Sequence, residues 1–407
     1  MGELDRLLRE AVAMQEAGRY QDALAVYDDA AYRWPNLALL WNNRGNTLLE
    51  LARPAEAAES YHRALQLAPE LHDARVALAS CLQAIGYLHE ALACCDAVLR
   101  AVPDHAEAHW NRALLLLLQG QYAEGWREYE WRWKKRRFTS PLRALPQPLW
   151  QGEPLAGKTI LVHAEQGLGD TLQFCRYLPL LAAGGAQVLF ECHPPLAALM
   201  ATLGPAIRVV PMGVPLPFFD LHAPLLSLPR LFGTTLETIP HAVPYLQSPP
   251  DRLAFWESAM PRDARRAVGL CWAGKAYPDP GRSIPPTMLS ALAGITGVSF
   301  VSLQMGEGTE QPSLPLLDAT MLVRDLADTA ALVAQLDLVI TIDTAVAHLA
   351  GAMGRETWLL LPFAPDWRWG VGRDDCPWYP TLRLFRQEQR GEWTPVLEQV
   401  GEALQGW

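Results

Sequence analysis

Residues 159–174 have the sequence TILVHAEQGLGDTLQF, and this stretch decides the fold of the second part of the chain. A short apolar run is followed by a turn containing Gly167, Gly169 and Asp170, and then by a helical pattern. The glycines would allow a tight turn from a strand into a helix. Spacing alone leaves two roles open for Asp170: it caps the helix, or it is an acidic group at the mouth of a ligand cleft.

The alternation of strand and helix continues towards the C-terminus, which predicts parallel sheets with helices on both faces. Ligands of such sheets bind beyond the carboxyl ends of the strands. A proline-rich connection divides this part into two facing α/β domains, which we place at 157–247 and 248–407. The predicted strands are 159–163, 187–191, 207–211, 267–271, 299–303, 336–342, 357–361 and 382–385.

The first third of the chain has a period of 34 residues. Small residues recur at Ala23, Ala57, Ala91 and Gly125, and the same interval links Tyr27, Tyr61, Cys95 and Tyr129 as well as Pro35, Pro69 and Pro103. Small side chains let paired helices approach closely, and the proline ends the second helix of each pair. The pattern resembles the tetratricopeptide repeat (TPR), with four units over 4–137. The match fades in the fourth unit, where Arg132 and Arg137 replace the small residue and the proline. Residues 138–156 hold four prolines and are predicted to form a linker.

Such a repeat stack serves as a spacer or offers a concave face to a peptide or protein partner, and we favour the partner. The basic run at 131–137 is interpreted as a solvated helix end rather than a nucleic-acid site. The net charge of −10 also argues against nucleic-acid partners.

Composition sets the expected location of the protein. The seven cysteines lack a CxxC spacing or a paired His/Cys metal-ligand pattern, which is typical of reduced thiols. The N-terminus is charged and amphipathic, unlike a signal peptide, and the apolar run at 113–118 is too short to span a bilayer. We therefore expect a cytoplasmic protein without a membrane span.

A second strand-to-helix turn, DTAVAH at 343–348, follows the predicted strand 336–342. The first turn of a helix exposes unpaired N–H groups and a positive dipole end, which suits a phosphate. Thr344 would add a hydroxyl, Ala345 would let a ligand approach the backbone, and Asp343 would grip a sugar hydroxyl. The alternative is that Asp343 or Thr344 merely caps the helix.

Neighbouring strand ends supply further candidate donor-binding residues. Trp272 and Lys275 lie in the loop CWAGK, residues 271–275, and Arg282 follows on the same loop. Cations there could neutralise a diphosphate, although a single loop lysine is more often simply exposed. Gln304 ends the next predicted strand, where a base or ribose would lie. The tryptophans of DWRW, residues 366–369, would either stack on a sugar or fill a core.

Three motifs together resemble the heptosyltransferase-type glycosyltransferases, glycosyltransferase family 9. They are GLGD at 167–170, the CWAGK loop and DTAVAHLAGAMG at 343–354. The resemblance implies a GT-B fold and an inverting, metal-independent transfer from a nucleotide-diphospho-sugar. The chain has no DxD triplet near these strand ends, so we expect neither a metal nor a cofactor. TPR units ahead of a GT-B pair are also similar to the architecture of O-GlcNAc transferases, which modify proteins.

The resemblance also implies roles for individual residues. Asp170 falls on the position of the proposed general base, on a turn formed with Gln166, Gly167 and Gly169. Lys275 falls on the phosphate-binding lysine. The donor-binding helix start would comprise Asp343, Thr344, Ala345 and His348. The family usually has glycine in place of Ala345, and the tryptophan-rich stretch 366–380 also departs from it, which leaves the donor and the acceptor open.

We therefore expect a glycosyltransferase whose repeat domain presents a protein or peptide acceptor. The alternative is a non-catalytic TPR scaffold with a GT-B half that binds a nucleotide sugar or is purely structural.

Overall fold

The structure is a computed structural model that describes residues 2–136, 138–140, 142–260, 265–275, 279–306, 310 and 312–407. It divides into two compact units, Met1–Phe138 and Thr139–Trp407. The last residue of the expected repeat domain, Arg137, lies outside the described residues.

The first unit is built from consecutive pairs of antiparallel helices. Gly45 is needed in the second pair, because a Cβ there would lie 2.8 Å from the ring of Tyr61. The fourth pair is shorter, since its second helix ends after eight residues and continues as a 3-10 helix over Glu130–Lys134. The helices are Glu3–Glu16 (α1), Tyr20–Arg33 (α2), Ala38–Glu50 (α3), Pro54–Leu67 (α4), His72–Ala84 (α5), Leu88–Ala101 (α6), Ala106–Leu118 (α7) and Tyr122–Tyr129 (α8).

The repeat extends to individual hydrogen bonds. Trp41 donates to the carbonyl of Pro35 at 2.9 Å, and 34 residues later Arg75 donates to Pro69 at 2.9 Å. In the next unit the ring nitrogen of His109 lies 2.8 Å from the carbonyl of Pro103. The same backbone carbonyl is thus satisfied in successive units by three different side chains.

The basic run at the end of this unit is only partly the expected solvated helix end, since Lys134 and Arg136 are exposed but the other described cations of the run are not. Arg132 is fully buried and pairs with Glu130 at 2.8 Å. Lys135 is partly buried, with its ammonium 4.8 Å from the ring centroid of Trp110. Arg136 forms an ion pair with Glu107 at 3.1 Å. Arg132 and Lys135 are therefore packed inside the first unit, whereas Arg136 pairs at its surface.

The second unit contains two parallel sheets, each flanked by helices. The first sheet has the strand order β3-β2-β1-β4, where β1 is Thr159–His163, β2 is Gln187–Cys192, β3 is Ile207–Pro211 and β4 is Leu221–Pro224. Its helices are Leu168–Phe174 (α9), Leu178–Ala183 (α10), Ala197–Met200 (α11) and Leu228–Leu231 (α12).

The second sheet has the order β10-β9-β8-β5-β6-β7, and its strand pairs are also parallel. Its strands are Arg266–Cys271 (β5), Val298–Ser302 (β6), Leu316–Asp318 (β7), Leu338–Ile342 (β8), Thr357–Leu361 (β9) and Leu382–Arg386 (β10). The helices are Pro250–Ala259 (α13), Leu326–Ala334 (α14), Ala345–Ala352 (α15) and Thr394–Gly406 (α16).

The expected fold class is confirmed: an all-α repeat domain precedes an α/β part of the GT-B type, with two parallel sheets. The strands expected from apolar runs are present, with their ends shifted by at most two residues. Sequence reasoning missed β4 and β7, because four residues containing a histidine and a proline, or three residues alone, give no apolar run. The expected linker packs against β4, since the N–H of Trp150 donates to the carbonyl of His222 at 2.8 Å.

Candidate functional site

The turn after β1 fixes Asp170 at the start of α9. One oxygen of the carboxylate accepts the backbone N–H of Gly167 at 3.1 Å, which closes the first turn of the helix. The other oxygen lies 2.5 Å from Nη2 of Arg368, a residue that follows β9 in the other sheet. Asp170 therefore caps its helix, as one sequence interpretation expected, and it also joins the two sheets.

Arg368 is the centre of this connection. Beyond its contact with Asp170, it donates to the side chain of Gln173 at 2.6 Å and to Asp366 at 2.8 Å. Its guanidinium carbon lies 4.4 Å from the ring centroid of Trp367. The side chain is only 10% exposed, so these contacts hold it in one position.

The turn after β8 places Asp343 and Thr344 at the start of α15. Thr344 is the N-cap residue, and its hydroxyl accepts the N–H of Val346 at 3.3 Å. Asp343 and Thr344 are half-buried, and Ala345 is the first residue of the helix. The helix start is therefore partly open to solvent, and the two oxygens of Thr344 accept the N–H groups of Val346 and Ala347.

Asp343 has an unusual electrostatic environment. Burial raises its pKa from 3.8 to about 6, and the negative charge of Asp366 adds to this effect. The indole N–H of Trp369 and the cations of Arg368 and Arg282 act in the opposite direction. Asp343 thus exchanges a proton nearer neutral pH than an ordinary aspartate does.

The CWAGK loop meets this helix start at Gly274. A Cβ on Gly274 would lie 3.2 Å from Nε of Arg282 and 3.3 Å from the methyl group of Thr344. Arg282 donates to the carbonyl of Lys275 at 3.0 Å, and the Lys275 side chain is exposed. Glycine at 274 therefore allows the loop, its cations and the N-terminus of α15 to come together.

Trp272 and Gln304, which were expected to contact the donor, instead support the CWAGK loop from the protein interior. Trp272 is 2% exposed and belongs to the core of the second sheet. Gln304 is 3% exposed, and its Oε1 accepts the N–H groups of Trp272 and Ala273 at 3.0 and 2.8 Å. Neither side chain is open to solvent, because the core surrounds Trp272 and the loop backbone engages Gln304.

His348 lies at the contact between α9 and α15. It is 4% exposed, its Nδ1 is 2.9 Å from the hydroxyl of Tyr379, and its ring stacks on Trp369 with centroids 5.2 Å apart. A Cβ on Gly169 would lie 2.9 Å from Cδ2 of His348. Gly169 is therefore needed for close helix contact, and His348 fills the seam between the sheets rather than facing a ligand.

Arg176, which follows α9, strengthens the same seam. Its guanidinium is buried and donates to the carbonyl of Trp378 at 2.7 Å and to the hydroxyl of Tyr245 at 2.8 Å. Its Cζ lies 4.6 Å from the ring centroid of Tyr379. The guanidinium of Arg176 is thus enclosed by aromatic rings and a backbone carbonyl from segments that are distant along the chain.

Burial and hydrogen bonds also assign the tryptophans of DWRW and two polar residues of the turn after β1. Trp367 and Trp369 are 3% and 0% exposed, so they fill the core instead of offering a stacking platform. Glu165 supports the chain after β4, because its Oε1 accepts the N–H of Leu226 at 3.0 Å. Gln166 is exposed and donates to the hydroxyl of Thr139 at 3.1 Å.

Comparison with known proteins gives the family. Residues 38–71 and 76–130 match models of the tetratricopeptide repeat. Protein FlbA of Caulobacter vibrioides (strain ATCC 19089 / CIP 103742 / CB 15) is 31% identical over 427 residues, covering 97% of this chain and 71% of that protein. The chain belongs to the FlbA family.

Solved structures resemble separate parts of this FlbA-family protein. A glycosyl transferase family 9 protein from Veillonella parvula DSM 2008 covers 63% of the chain and 99% of its own length, with 14% identity and a TM-score of 0.47. MamA covers 32% of this chain and 72% of its own, with 20% identity and a TM-score of 0.31.

The described part of the FlbA-family chain contains no helix with the length and apolar character required to cross a membrane.

Sequence reasoning missed Arg368, Arg176 and His193. His193 directly follows β2 and Arg368 lies in the segment after β9, so the rule that ligands gather at carboxyl ends of strands could have singled them out. Nothing in the sequence pattern distinguishes Arg176, because its partners are distant along the chain.

Proposed function

We propose that this FlbA-family protein is a glycosyltransferase that moves a sugar from a nucleotide-diphospho-sugar to a protein or peptide acceptor. The transfer would be inverting and metal-independent, and it would take place in the cytoplasm. The repeat unit would bind the acceptor on its concave face.

One observation carries the proposal: two helices that each begin at the carboxyl end of a strand, α9 in the first sheet and α15 in the second, are in close contact near their starts. Asp343 and Thr344 begin α15, and Asp170 begins α9. Arg368 connects them, because it contacts Asp170 directly and lies close enough to Asp343 to influence its charge.

The donor diphosphate would bind the start of α15. Its oxygens would accept the N–H of Ala345 and the hydroxyl of Thr344, while Lys275 and Arg282 neutralise charge. Each charge-assisted contact of this kind contributes roughly 1.5–3 kcal/mol. Asp343 would hold a sugar hydroxyl, since a carboxylate would repel the phosphates.

Asp170 would help to activate the acceptor hydroxyl for attack on the sugar. The acceptor oxygen attacks the anomeric carbon, its proton is removed, and the nucleoside diphosphate leaves with the electron pair of the broken bond. Removal of such a proton by a positioned base accelerates the reaction on the order of 10²–10⁴-fold.

The test is nucleotide release from a panel of ADP-, UDP-, GDP- and dTDP-sugars. We expect release from at least one donor by the wild type, and a loss of about 100-fold or more in Asp170→Asn with donor binding retained. Asp220→Asn is the matched control, because Asp220 accepts the N–H of Thr159 at the opposite end of β1.

The hydrogen bonds of the Asp170 carboxylate favour a second candidate, a non-catalytic scaffold. Both of its oxygens contact donors, Gly167 and Arg368, as a purely structural aspartate would. Binding of a nucleotide sugar without turnover, with a cell lysate offered as acceptor source, would support the scaffold and contradict the enzyme.

A further inference from the structure

The end of β2 places a histidine beside the turn that carries Asp170. His193 follows Cys192, the last residue of β2, and β2 pairs in parallel with β1. The carboxyl ends of parallel strands meet at one edge of a sheet, so His193 and the turn after β1 share that edge. The His193 side chain is half-buried, which leaves part of it open to solvent.

The turn after β1 also contacts the imidazole of His193 directly. Nδ1 of His193 lies 3.5 Å from the hydroxyl of Thr171, which itself donates to the carbonyl of Gly167 at 3.1 Å. The backbone of Gln166 also hydrogen-bonds the ring. A neutral imidazole that donates through one nitrogen keeps a lone pair on the other.

The surroundings of His193 favour the neutral ring, but some of them also stabilise its protonated form. Burial lowers the pKa of His193, whereas the Gln166 backbone and the charge of Asp170 act in the opposite direction. A histidine with a lowered pKa is neutral at pH 7, and a nearby carboxylate stabilises the imidazolium once it forms.

Asp170 is less available than His193 for direct contact with an acceptor. Its two oxygens are engaged by the Gly167 N–H at 3.1 Å and by Arg368 at 2.5 Å. Accepting a proton on either oxygen would compete with a contact that closes α9 or joins the sheets.

We propose that His193 accepts the proton of the acceptor hydroxyl, and that Asp170 acts through His193 by stabilising the imidazolium. This inference rests on the proposed sugar transfer and specifies how Asp170 serves it. The acceptor oxygen bonds to the anomeric carbon as its proton moves to the free ring nitrogen. The bond between that carbon and the diphosphate oxygen breaks, its electron pair leaves with the nucleoside diphosphate, and the imidazolium then loses its proton to solvent.

The experiment uses the full chain and the sugar nucleotide that the wild type turns over best in the donor panel. His193→Asn retains an amide near the position of Nδ1 but cannot act as a base. We expect kcat to fall about 100-fold or more while the donor KM changes less than about threefold. Added imidazole should restore part of the rate of His193→Ala, because a small base can occupy the vacated space.

His241→Asn is the matched control, because His241 is an exposed histidine of the same unit whose Nδ1 lies 3.1 Å from a backbone carbonyl. It should match the wild type. A His193→Asn variant that retains its turnover would overturn the inference and leave the proposed transfer intact. A slow His193→Ala variant that imidazole does not rescue, with donor affinity lost in parallel, would make His193 structural. If the wild type releases no nucleotide from any donor, the proposed transfer fails and this inference fails with it.

Discussion

The turns after β1 and β8 both lead from a strand into a helix and both carry an aspartate, but the two aspartates have different surroundings. Asp170 contacts Arg368 at 2.5 Å and the N–H of Gly167, so its charge is compensated. Asp343 shares its surroundings with Asp366, and burial and that negative charge raise its pKa to about 6. Arg368 directs hydrogen bonds to Asp170 and Asp366, which leaves Asp343 less compensated. Residue type alone therefore does not determine what an aspartate at a strand-to-helix turn can do.

The largest expected effect concerns the charge of Asp343. Its pKa in the folded state, about 6, lies above the ordinary 3.8, so its contribution to stability is fully present below pH 4 and is lost as the pH rises through 6. The wild type should therefore lose up to about 3 kcal/mol of unfolding free energy between pH 4 and pH 7 relative to Asp343→Asn. Urea unfolding at several pH values measures this difference.

Asp251→Asn controls for the loss of a carboxylate, because the side chain of Asp251 is 78% exposed. An identical pH dependence of stability in the wild type and in Asp343→Asn would contradict the contrast between the two turns.

The next effect concerns the contact between the two helix starts. Gly169→Ala would place a methyl group 2.9 Å from Cδ2 of His348, which is buried and held by Tyr379. Overpacking of this kind costs about 1–3 kcal/mol. Gly294→Ala should change the free energy of unfolding little, since nothing lies within 4 Å of a Cβ there. Thermal unfolding checks both variants, and equal stabilities would show that the helices are not in close contact.

The smallest effect is the coupling between Asp170 and Arg368. A double-mutant cycle with Asp170→Asn and Arg368→Met should give about 1–2 kcal/mol, because the side chains are only 19% and 10% exposed. The pair Arg373 and Asp375 is the comparison, since these side chains are 33% and 67% exposed and such pairs contribute about 0.2–1 kcal/mol. If the two cycles give the same coupling energy, Arg368 is not a specific partner of Asp170.

Local patterns made most of the fold predictable. The 34-residue period identified the helical repeats, and apolar runs such as 159–163 identified strands, because both signals arise from neighbouring residues. The strand-to-helix turn at 167–170 followed from its glycines. The short strands β4 and β7 gave no such signal.

The candidate site was less predictable, because its contacts join distant parts of the chain. Asp170 and Arg368 are 198 residues apart in sequence, and no spacing rule connects them. The sequence likewise could not show that Trp272 and Gln304 point into the interior, since side-chain direction at a strand end depends on packing. His193 escaped notice because a single histidine is usually structural.

The central claim is that the start of α15 and the loop cations bind the diphosphate of a sugar nucleotide. Thermal unfolding with saturating ADP, UDP, GDP or dTDP tests it most directly, because ligands of the native form raise its apparent stability. We predict that at least one of them raises the Tm of the wild type by several degrees, that Lys275→Ala reduces this shift with little effect on the Tm without ligand, and that Lys158→Ala, at the opposite end of β1, retains it. No shift with any of the four, or an undiminished shift in Lys275→Ala, would contradict the claim.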